Sequence, residues 1–420
     1  MAKIGKIIAR EILDSRSRPT IEATVILSDG ISHSASAPSG VLRGTYEASE
    51  LRDGDMNRFH GEGVLKAIEN IESIISPALS GMDVTHQQDI DRKMMELDST
   101  QNKSNLGSNT LISVSQAVCK AAAKSSLLPL SLYIKQFLTS PVEGYKIPVP
   151  LFNMIEGGKH ANNNIDFQEF LVIPATSYDY RTSLQMGIKI YHTLREYLRN
   201  SNLPTGIFDN AGFGPDFSTN VDILKVLKST IDRAQYSFSK DVFLGIDAAM
   251  NTRMNNKKYT LKDRSGQIGS ADLISFYKSI ISDYSLIYLE DPFAEDDWEA
   301  WKRMSADSEH HTLIVGDDLT STNPYRLQMA LNNNVIDGIV IKPNQIGTIT
   351  EALAVGEIAR YKNLKIIVSS RSGETEDTFI ADFAVAIGAN YVKFGSPAHE
   401  RTIKYNRLLE IERELSTFRT

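Results

Sequence analysis

The chain has 420 residues, 41% of them hydrophobic and 23% charged, values typical of a globular protein. A net charge of -7 without a basic run argues against nucleic acid as a partner, and no apolar stretch approaches the roughly 20 residues of a membrane span. The chain is too long for one ordinary core, so we expect two domains. Because Cys119 is the only cysteine and the first ten residues lack the apolar core of a signal peptide, we expect a cytoplasmic protein.

The first part of the chain begins with three β-rich stretches separated by the turn signals Arg18-Pro19 and Asp29-Gly30. This pattern predicts an antiparallel meander followed by helices. A stretch containing Pro and Gly at 139–145 is typical of a linker. We therefore predict an N-terminal α+β domain over 1–138 and a second domain over 139–420. The three stretches are Ile4–Leu13, Thr20–Leu27 and Ile31–Ala37.

The second part of the chain contains short apolar runs that end at, or just before, a polar or charged residue. Helix-compatible segments separate these runs, a pattern that predicts an α/β domain built as a TIM-like β/α barrel. In such barrels the chemistry lies at the carboxyl ends of the strands. One such strand end could arise by chance, but six in succession indicate a site. The six residues are Asp247, Glu290, Asp317, Lys342, Arg371 and Lys393.

Asp247, Glu290 and Asp317 are carboxylates at three successive predicted strand ends. Neighbouring strands lie about 4.8 Å apart, so these side chains can converge. Three unpaired carboxylates would repel one another, and a hard divalent cation removes that repulsion, which favours Mg²⁺. Each carboxylate alone could equally cap a helix or pair with a surface lysine. The set of three favours a metal site.

Lys342 and Lys393 follow apolar strands and are predicted to face the same barrel mouth. A lysine beside a cation is pushed toward its neutral form and can act as a base. A lone lysine is more often a solvated surface group. The strand that precedes each of these lysines favours the mouth of the barrel instead.

Four longer motifs begin at Glu290 (EDPFAEDDW), Asp317 (DDLTSTNP), Lys342 (KPNQIG) and Arg371 (RSGETED). They resemble motifs of the enolase family, and the resemblance extends over essentially the whole chain. Other matching stretches include Pro38-Ser-Gly40, Gln168-Glu-Phe170 and the segment around His160. Members of this superfamily use a Lys or His base with one or two Mg²⁺ ions.

The resemblance implies loss of water from 2-phosphoglycerate to give phosphoenolpyruvate, in a homodimer with two Mg²⁺ ions. It implies that Lys342 is the base, that Glu169 faces the leaving hydroxyl and that His160 lies on a closing loop. It also implies a set of metal ligands and a set of residues that bind the small anionic substrate. The implied metal ligands are Asp247, Glu290, Asp317 and, for a second ion that arrives with substrate, Ser39; the implied substrate-binding residues are Lys393, Arg371, Ser372, Ser370, Gln168, Asn210 and Arg43.

The sequence departs from the family pattern at several of these positions. Asn210 stands where the family pattern Gly-Asp-Glu-Gly-Gly has its acid–base Glu, and an amide cannot exchange a proton near neutral pH. Ser370 stands in place of a His, and Glu156-Gly-Gly-Lys-His160 in place of Asn-Gly-Gly-Ser-His. Arg43 and Lys159 add positive charge to the two predicted loops over the site.

Three functional hypotheses remain open from the sequence. The first is an enolase-type hydro-lyase. The second is an enolase-derived enzyme for another anion, such as a phosphonate analogue, which the departures at Asn210 and Ser370 favour. The third is a non-catalytic homologue, against which the intact set of lysines and carboxylates argues.

Overall fold

The N-terminal part of the protein is a three-stranded antiparallel meander covered by helices. The structure is a computed structural model that describes residues 2–40, 44–140, 142, 144, 146–306 and 311–417. The register runs from Ile4↔Leu27 to Leu13↔Pro19 in the first pair of strands, so the predicted meander is confirmed. The strands are β1 (Ile4–Leu13), β2 (Pro19–Leu27) and β3 (Ser32–Ser36).

The helices of this part pack on one face of the meander. The longest one, over Ser108–Ser125, contacts the second and third strands and is buried over most of its surface, Cys119 included. Its apolar positions at helical spacing therefore cover the sheet. A 3₁₀ turn at Phe59–Gly61 and a π-helical turn at Ile71–Ile75 complete the region. The helices are α1 (Leu65–Asn70), α2 (Ser76–Leu79), α3 (Gln87–Asp98), α4 (Ser108–Ser125) and α5 (Leu130–Lys135).

The larger part of the protein is a β/α barrel, as the sequence predicts. Neighbouring strands of its nine-stranded sheet are parallel, except that the strand over Glu169–Pro174 runs antiparallel to both of its neighbours. A separate, small three-stranded sheet lies outside the barrel and consists of β8 (Met254–Asn255), β9 (Lys258–Thr260) and β10 (Gln267–Ile268). The barrel strands are β4 (Val149–Pro150), β5 (Phe152–Glu156), β6 (Glu169–Pro174), β7 (Val242–Asp247), β11 (Leu286–Glu290), β12 (Leu313–Gly316), β13 (Gly338–Ile341), β14 (Lys365–Ser369) and β15 (Tyr391–Lys393).

The barrel closes because β4 and β5 are separated by the single residue Leu151, while β4 pairs with β15 and β5 with β6. Leu151 itself donates its backbone N–H to Val392 O at 2.8 Å. Alternate strand residues such as Leu171, Tyr288 and Val340 pack together as an inner core. The interior is therefore filled with side chains, and room for chemistry is left at the mouth.

The barrel helices lie outside the sheet: two of them follow β6, and one helix separates each barrel strand from β7 onward from the next. Among the described residues, we find no helix that combines the length and the apolarity needed to cross a lipid bilayer. Single 3₁₀ turns occur at Met250–Arg253 and Pro343–Gln345. The helices are α6 (Tyr180–Asn200), α7 (Asn220–Arg233), α8 (Ser270–Tyr284), α9 (Trp298–Ser305), α10 (Pro324–Asn333), α11 (Ile349–Tyr361), α12 (Phe379–Ala386) and α13 (Arg401–Thr417).

The strand register aligns four acidic residues across neighbouring strands at the barrel mouth. Glu156 on β5 pairs with Glu169 on β6, Glu169 pairs with Asp247 on β7, and Asp247 pairs with Glu290 on β11. All four are buried. The register of the sheet therefore concentrates negative charge at one rim of the barrel.

Candidate active site

A narrow cavity lies at the mouth of the barrel, where the carboxyl ends of the parallel strands meet. Most of the residues that the sequence assigns to a site line this cavity, although they are spread over more than 230 positions of the chain. The barrel topology thus brings the predicted residues together. Those that line it are His160, Gln168, Glu169, Asn210, Asp317, Lys342, Ser370, Arg371, Ser372 and Lys393.

Lys393 occupies the centre of the acidic rim. Its Nζ lies 2.7 Å from Glu290 Oε1 and 2.9 Å from both Asp247 Oδ2 and Glu169 Oε2. Burial lowers the pKa of this lysine, but the Asp247, Glu169 and Glu290 carboxylates outweigh burial and raise it well above its usual value. Lys393 is therefore a fixed cation that neutralises part of the rim.

Lys342 and Asp317 form a buried ion pair on the other side of the cavity. Burial lowers the pKa of Lys342, and the adjacent Asp317 carboxylate reverses that effect, so the pKa of Lys342 is raised. Although burial raises the pKa of Asp317, Lys342 and Lys393 lower it to about 2. A divalent cation held by Asp317 would weaken the hold of Asp317 on the Lys342 proton.

The three predicted metal ligands divide into two groups, and of the three only Asp317 lines the cavity itself. Asp247 and Glu290 meet at Lys393, whereas Asp317 pairs with Lys342. Buried Asp247 Oδ1 has no hydrogen-bond partner among the described residues. A buried carboxylate oxygen without a hydrogen-bond partner is suited to bind a cation, because leaving it unpaired costs free energy. The all-oxygen donor set is the kind that Mg²⁺ prefers.

A second acidic group, which the sequence analysis missed, adjoins the first. Ligand oxygens of Asp291, Asp317 and Asp318 lie within 4.8 Å of one another. Asp291 accepts the backbone N–H groups of Asp317 at 3.0 Å and Asp318 at 2.7 Å, so it braces the turn that presents Asp317. Burial and the neighbouring Asp317 raise the pKa of Asp318 to about 8. The signal in the sequence was two adjacent acidic pairs, at 290–291 and 317–318.

Glu169, Asn210 and His160 form a hydrogen-bonded chain on the wall opposite Lys342. Asn210 Nδ2 donates to Glu169 Oε1 at 2.7 Å and lies 3.0 Å from His160 Nδ1. Burial is the largest effect that lowers the pKa of His160, to about 3, so the ring is neutral. With Nδ1 accepting from the amide, the ring proton is on Nε2.

The residues assigned to the substrate anion supply cations and hydroxyl groups on the remaining wall. Arg371 is buried and its Nη1 lies 2.7 Å from Glu47 Oε2. Ser370 Oγ lies 3.2 Å from Nη1 of Arg401, a fully buried arginine that the sequence analysis did not single out. Gln168 Nε2 donates to Asp247 Oδ2 at 3.1 Å. The side chain of Ser370 is small, and the buried guanidinium group of Arg401 lies next to it.

Ser39 is placed differently from the assigned residues that line the cavity. Ser39 is buried beside the site, but its hydroxyl donates to Asp14 Oδ2 at 2.5 Å, while its neighbour Gly40 lines the cavity. Arg43 lies outside the described residues. Asp209, which was not expected to replace the carboxylate missing at position 210, is next to Arg16, with 3.8 Å between its Oδ2 and Arg16 Nη1.

Comparison with known proteins gives one consistent result. The family model described as "Enolase, N-terminal domain" matches residues 4–134, and "Enolase, C-terminal TIM barrel domain" matches residues 144–419. Enolase of Helicobacter pylori strain HPAG1 is 43% identical over 417 residues, which cover 99% of this chain and 97% of that relative. Enolase of strain J99 is 42% identical over the same shares of the two chains.

Proposed function

We propose a division of catalytic roles for this chain, which belongs to the enolase family and is a hydro-lyase that converts 2-phosphoglycerate into phosphoenolpyruvate. The identity to curated enolases extends over the full chain, so the phosphonate and non-catalytic hypotheses are not favoured. One observation supports these roles above all: Lys342 and Glu169 line the same buried cavity and come from separate parts of the barrel.

Lys342 is the proposed base that removes the proton next to the substrate carboxylate. The position of Lys342 beside Asp317 supports this role, because cation binding at Asp317 favours the neutral amine that a base needs. Arg371 and Lys393 would hold the substrate anions. Ser372 and Ser370 would add hydroxyl groups to the same wall.

Asp247, Glu290 and Asp317 are the proposed Mg²⁺ ligands, and the orphaned Asp247 Oδ1 supports this assignment. A bound Mg²⁺ would stabilise the dianion left on the substrate carboxylate when the proton leaves. We assign Ser39 to a second ion that arrives with substrate. Ser39 Oγ donates its proton to Asp14 Oδ2, which leaves its lone pairs available for that ion.

Glu169 is the proposed group that assists departure of the hydroxyl. Its Oε1 accepts from Asn210, and its Oε2 lies 2.9 Å from Lys393 Nζ, so the carboxyl group is held by neighbours on both sides. Neutral His160, with its proton on Nε2, is the proposed donor to the substrate from the loop at 157–168, and Gln168 and Asn210 complete the wall. Fixed donors of this kind act without reorganising during the reaction.

We further propose a homodimer in the cytoplasm, with the domain boundary between residues 138 and 139. The gap between the two matched segments supports that boundary.

The proposed roles are tested together by measuring exchange of the substrate α-proton and formation of phosphoenolpyruvate in one sample of purified protein with Mg²⁺. Loss of exchange in Lys342→Ala, and loss of dehydration with residual exchange in Glu169→Gln, are the expected results. Exchange that persists undiminished in Lys342→Ala would refute the assignment of the base.

A further inference from the structure

Glu156 is the one member of the acidic rim that Lys393 does not contact. It is fully buried at the end of β5 and is the strand partner of Glu169. Its Oε1 accepts two backbone N–H groups, from Asn210 at 2.9 Å and Gly212 at 2.6 Å. Its Oε2 is buried and has no hydrogen-bond partner in the part of the chain that the structure describes. Burying a carboxyl oxygen without a hydrogen-bond partner costs free energy. We therefore expect Glu156 to have a role that offsets this cost.

The segment over 208–212 fits tightly against Glu156. A Cβ at Gly212 would lie 2.8 Å from Glu156 Cγ, so the absence of a side chain there is what allows the contact. Backbone hydrogen bonds from Glu156 N to Phe213 O and from Phe213 N to Met154 O join this segment to β5. Glu156 therefore sets where the backbone of residue 210 lies.

The side chain at position 210 in turn faces the cavity. The Asn210 amide donates to the Glu169 carboxylate and faces His160 Nδ1, two groups that both accept hydrogen bonds. A charged carboxylate at 210 could not donate to either of them and would repel Glu169. With Glu156 close behind, three carboxyl groups would then share one buried site.

The charge on Glu156 agrees with this arrangement. Burial first, and then the neighbouring Glu169 carboxylate, raise the pKa of Glu156 well above its usual value. Both effects disfavour a second negative charge beside Glu169, which Lys393 holds in an ion pair. The family pattern that the sequence resembles has the opposite arrangement, with an amide at the position of Glu156 and a carboxyl at that of Asn210.

We propose that Glu156 and Asn210 are an exchanged pair, in which Glu156 is a positioning residue that orients the Asn210 amide toward Glu169 and His160 for the water-loss step. The carboxyl group can stand at either of the two positions, and the amide at the other, but the two positions cannot change separately. The inference deepens the proposed function, because it rests on the roles assigned to Glu169 and His160.

A double-mutant cycle tests the exchange. Glu156→Asn leaves two amides, and Asn210→Glu leaves two carboxyl groups next to Glu169. Each single variant is expected to lower kcat for dehydration by about 10²-fold, the low end of what a positioned acid–base group contributes, with a smaller change in KM. Glu156→Asn/Asn210→Glu again has two carboxyl groups and one amide in the buried site, so it is expected to recover most of that loss. Non-additivity of this kind is what directly coupled residues show.

Glu156→Gln is the matched control, since its amide oxygen can still accept from both backbone N–H groups. Because glutamine matches glutamate in size and keeps this acceptor oxygen, we expect the variant to keep kcat near that of the unaltered protein. A double variant as impaired as the product of the two single losses would overturn the proposal. So would undiminished dehydration by Glu156→Asn.

Thermal unfolding of the same proteins separates this inference from the proposed function. The shifts in unfolding midpoint are also expected to be non-additive, whether or not the proteins turn over 2-phosphoglycerate. An inactive but normally folded unaltered protein would contradict the function alone, while additive shifts would contradict the exchange. If a single variant does not fold, recovery of folding in the double variant supports the exchange, and failure to recover overturns it.

Discussion

Asn210 donates a 2.7 Å hydrogen bond to Glu169, the carboxylate that we assign to the departing hydroxyl. We expect Asn210→Ala to lower the rate of dehydration by about 10- to 100-fold, because Glu169 and His160 both lose the group that orients them. Exchange of the α-proton should fall less, since it depends on Lys342. Asn57→Ala, at an exposed loop position, is the control. Equal losses of exchange and dehydration would contradict this role for Asn210.

Lys342 is the proposed base, and its loss should be the most severe for proton exchange. Lys342→Ala is expected to reduce solvent deuterium incorporation at the substrate α-carbon by at least the ~10²-fold typical of a general base. Lys365→Ala provides the matched control, because Lys365 begins β14 and is exposed at the opposite end of the barrel. Normal exchange by Lys342→Ala would remove Lys342 from the mechanism.

Much of the barrel could be predicted from the sequence because its strands are continuous apolar runs that end in charged residues. The run over Leu286–Leu289 followed by Glu290, for example, becomes β11, as expected. Buried parallel strands produce this pattern directly, since both faces are covered. The meander was equally clear, because Asp29-Gly30 marks its second turn.

The partners of the site residues could not be predicted in the same way. Glu156 and Asn210 are 54 positions apart, and each was visible only as a separate departure from the family pattern. Their contact depends on how the 208–212 segment folds back on β5, which no periodicity encodes. The grouping of Asp247 and Glu290 around Lys393, with Asp317 on Lys342, likewise depends on side-chain geometry.

Asp247 is the assigned metal ligand with an orphaned oxygen, so its neutralisation should weaken metal binding. We expect Asp247→Asn to weaken Mg²⁺ binding by more than the ~10-fold that loss of an outer partner typically causes. Calorimetric titration with Mg²⁺ alone provides the measurement. Asp272→Asn, on the exposed first turn of α8, should bind Mg²⁺ normally. Unchanged affinity in Asp247→Asn would exclude Asp247 as a ligand.

Gly212 lies against Glu156, and a side chain there should disturb both stability and activity. A Cβ at 212 would lie 2.9 Å from Glu156 Oε1, so Gly212→Ala should lower the free energy of unfolding by about 1–3 kcal/mol. A Cβ at Gly206 meets nothing within 4 Å, so Gly206→Ala should be neutral. Denaturant unfolding of both variants tests the difference. Equal stability of the two would show that the segment adjusts without cost.

This chain dehydrates 2-phosphoglycerate although Asn210 stands where the family pattern has a carboxyl group. The most direct test is to give 2-phosphoglycerate and Mg²⁺ to the purified protein and to follow both phosphoenolpyruvate formation and α-proton exchange. We expect phosphoenolpyruvate to form at a turnover ordinary for enzymes, about 1–10³ s⁻¹, and its formation to stop when a chelator removes Mg²⁺. Proton exchange without phosphoenolpyruvate, or no reaction at all from folded protein, would contradict it.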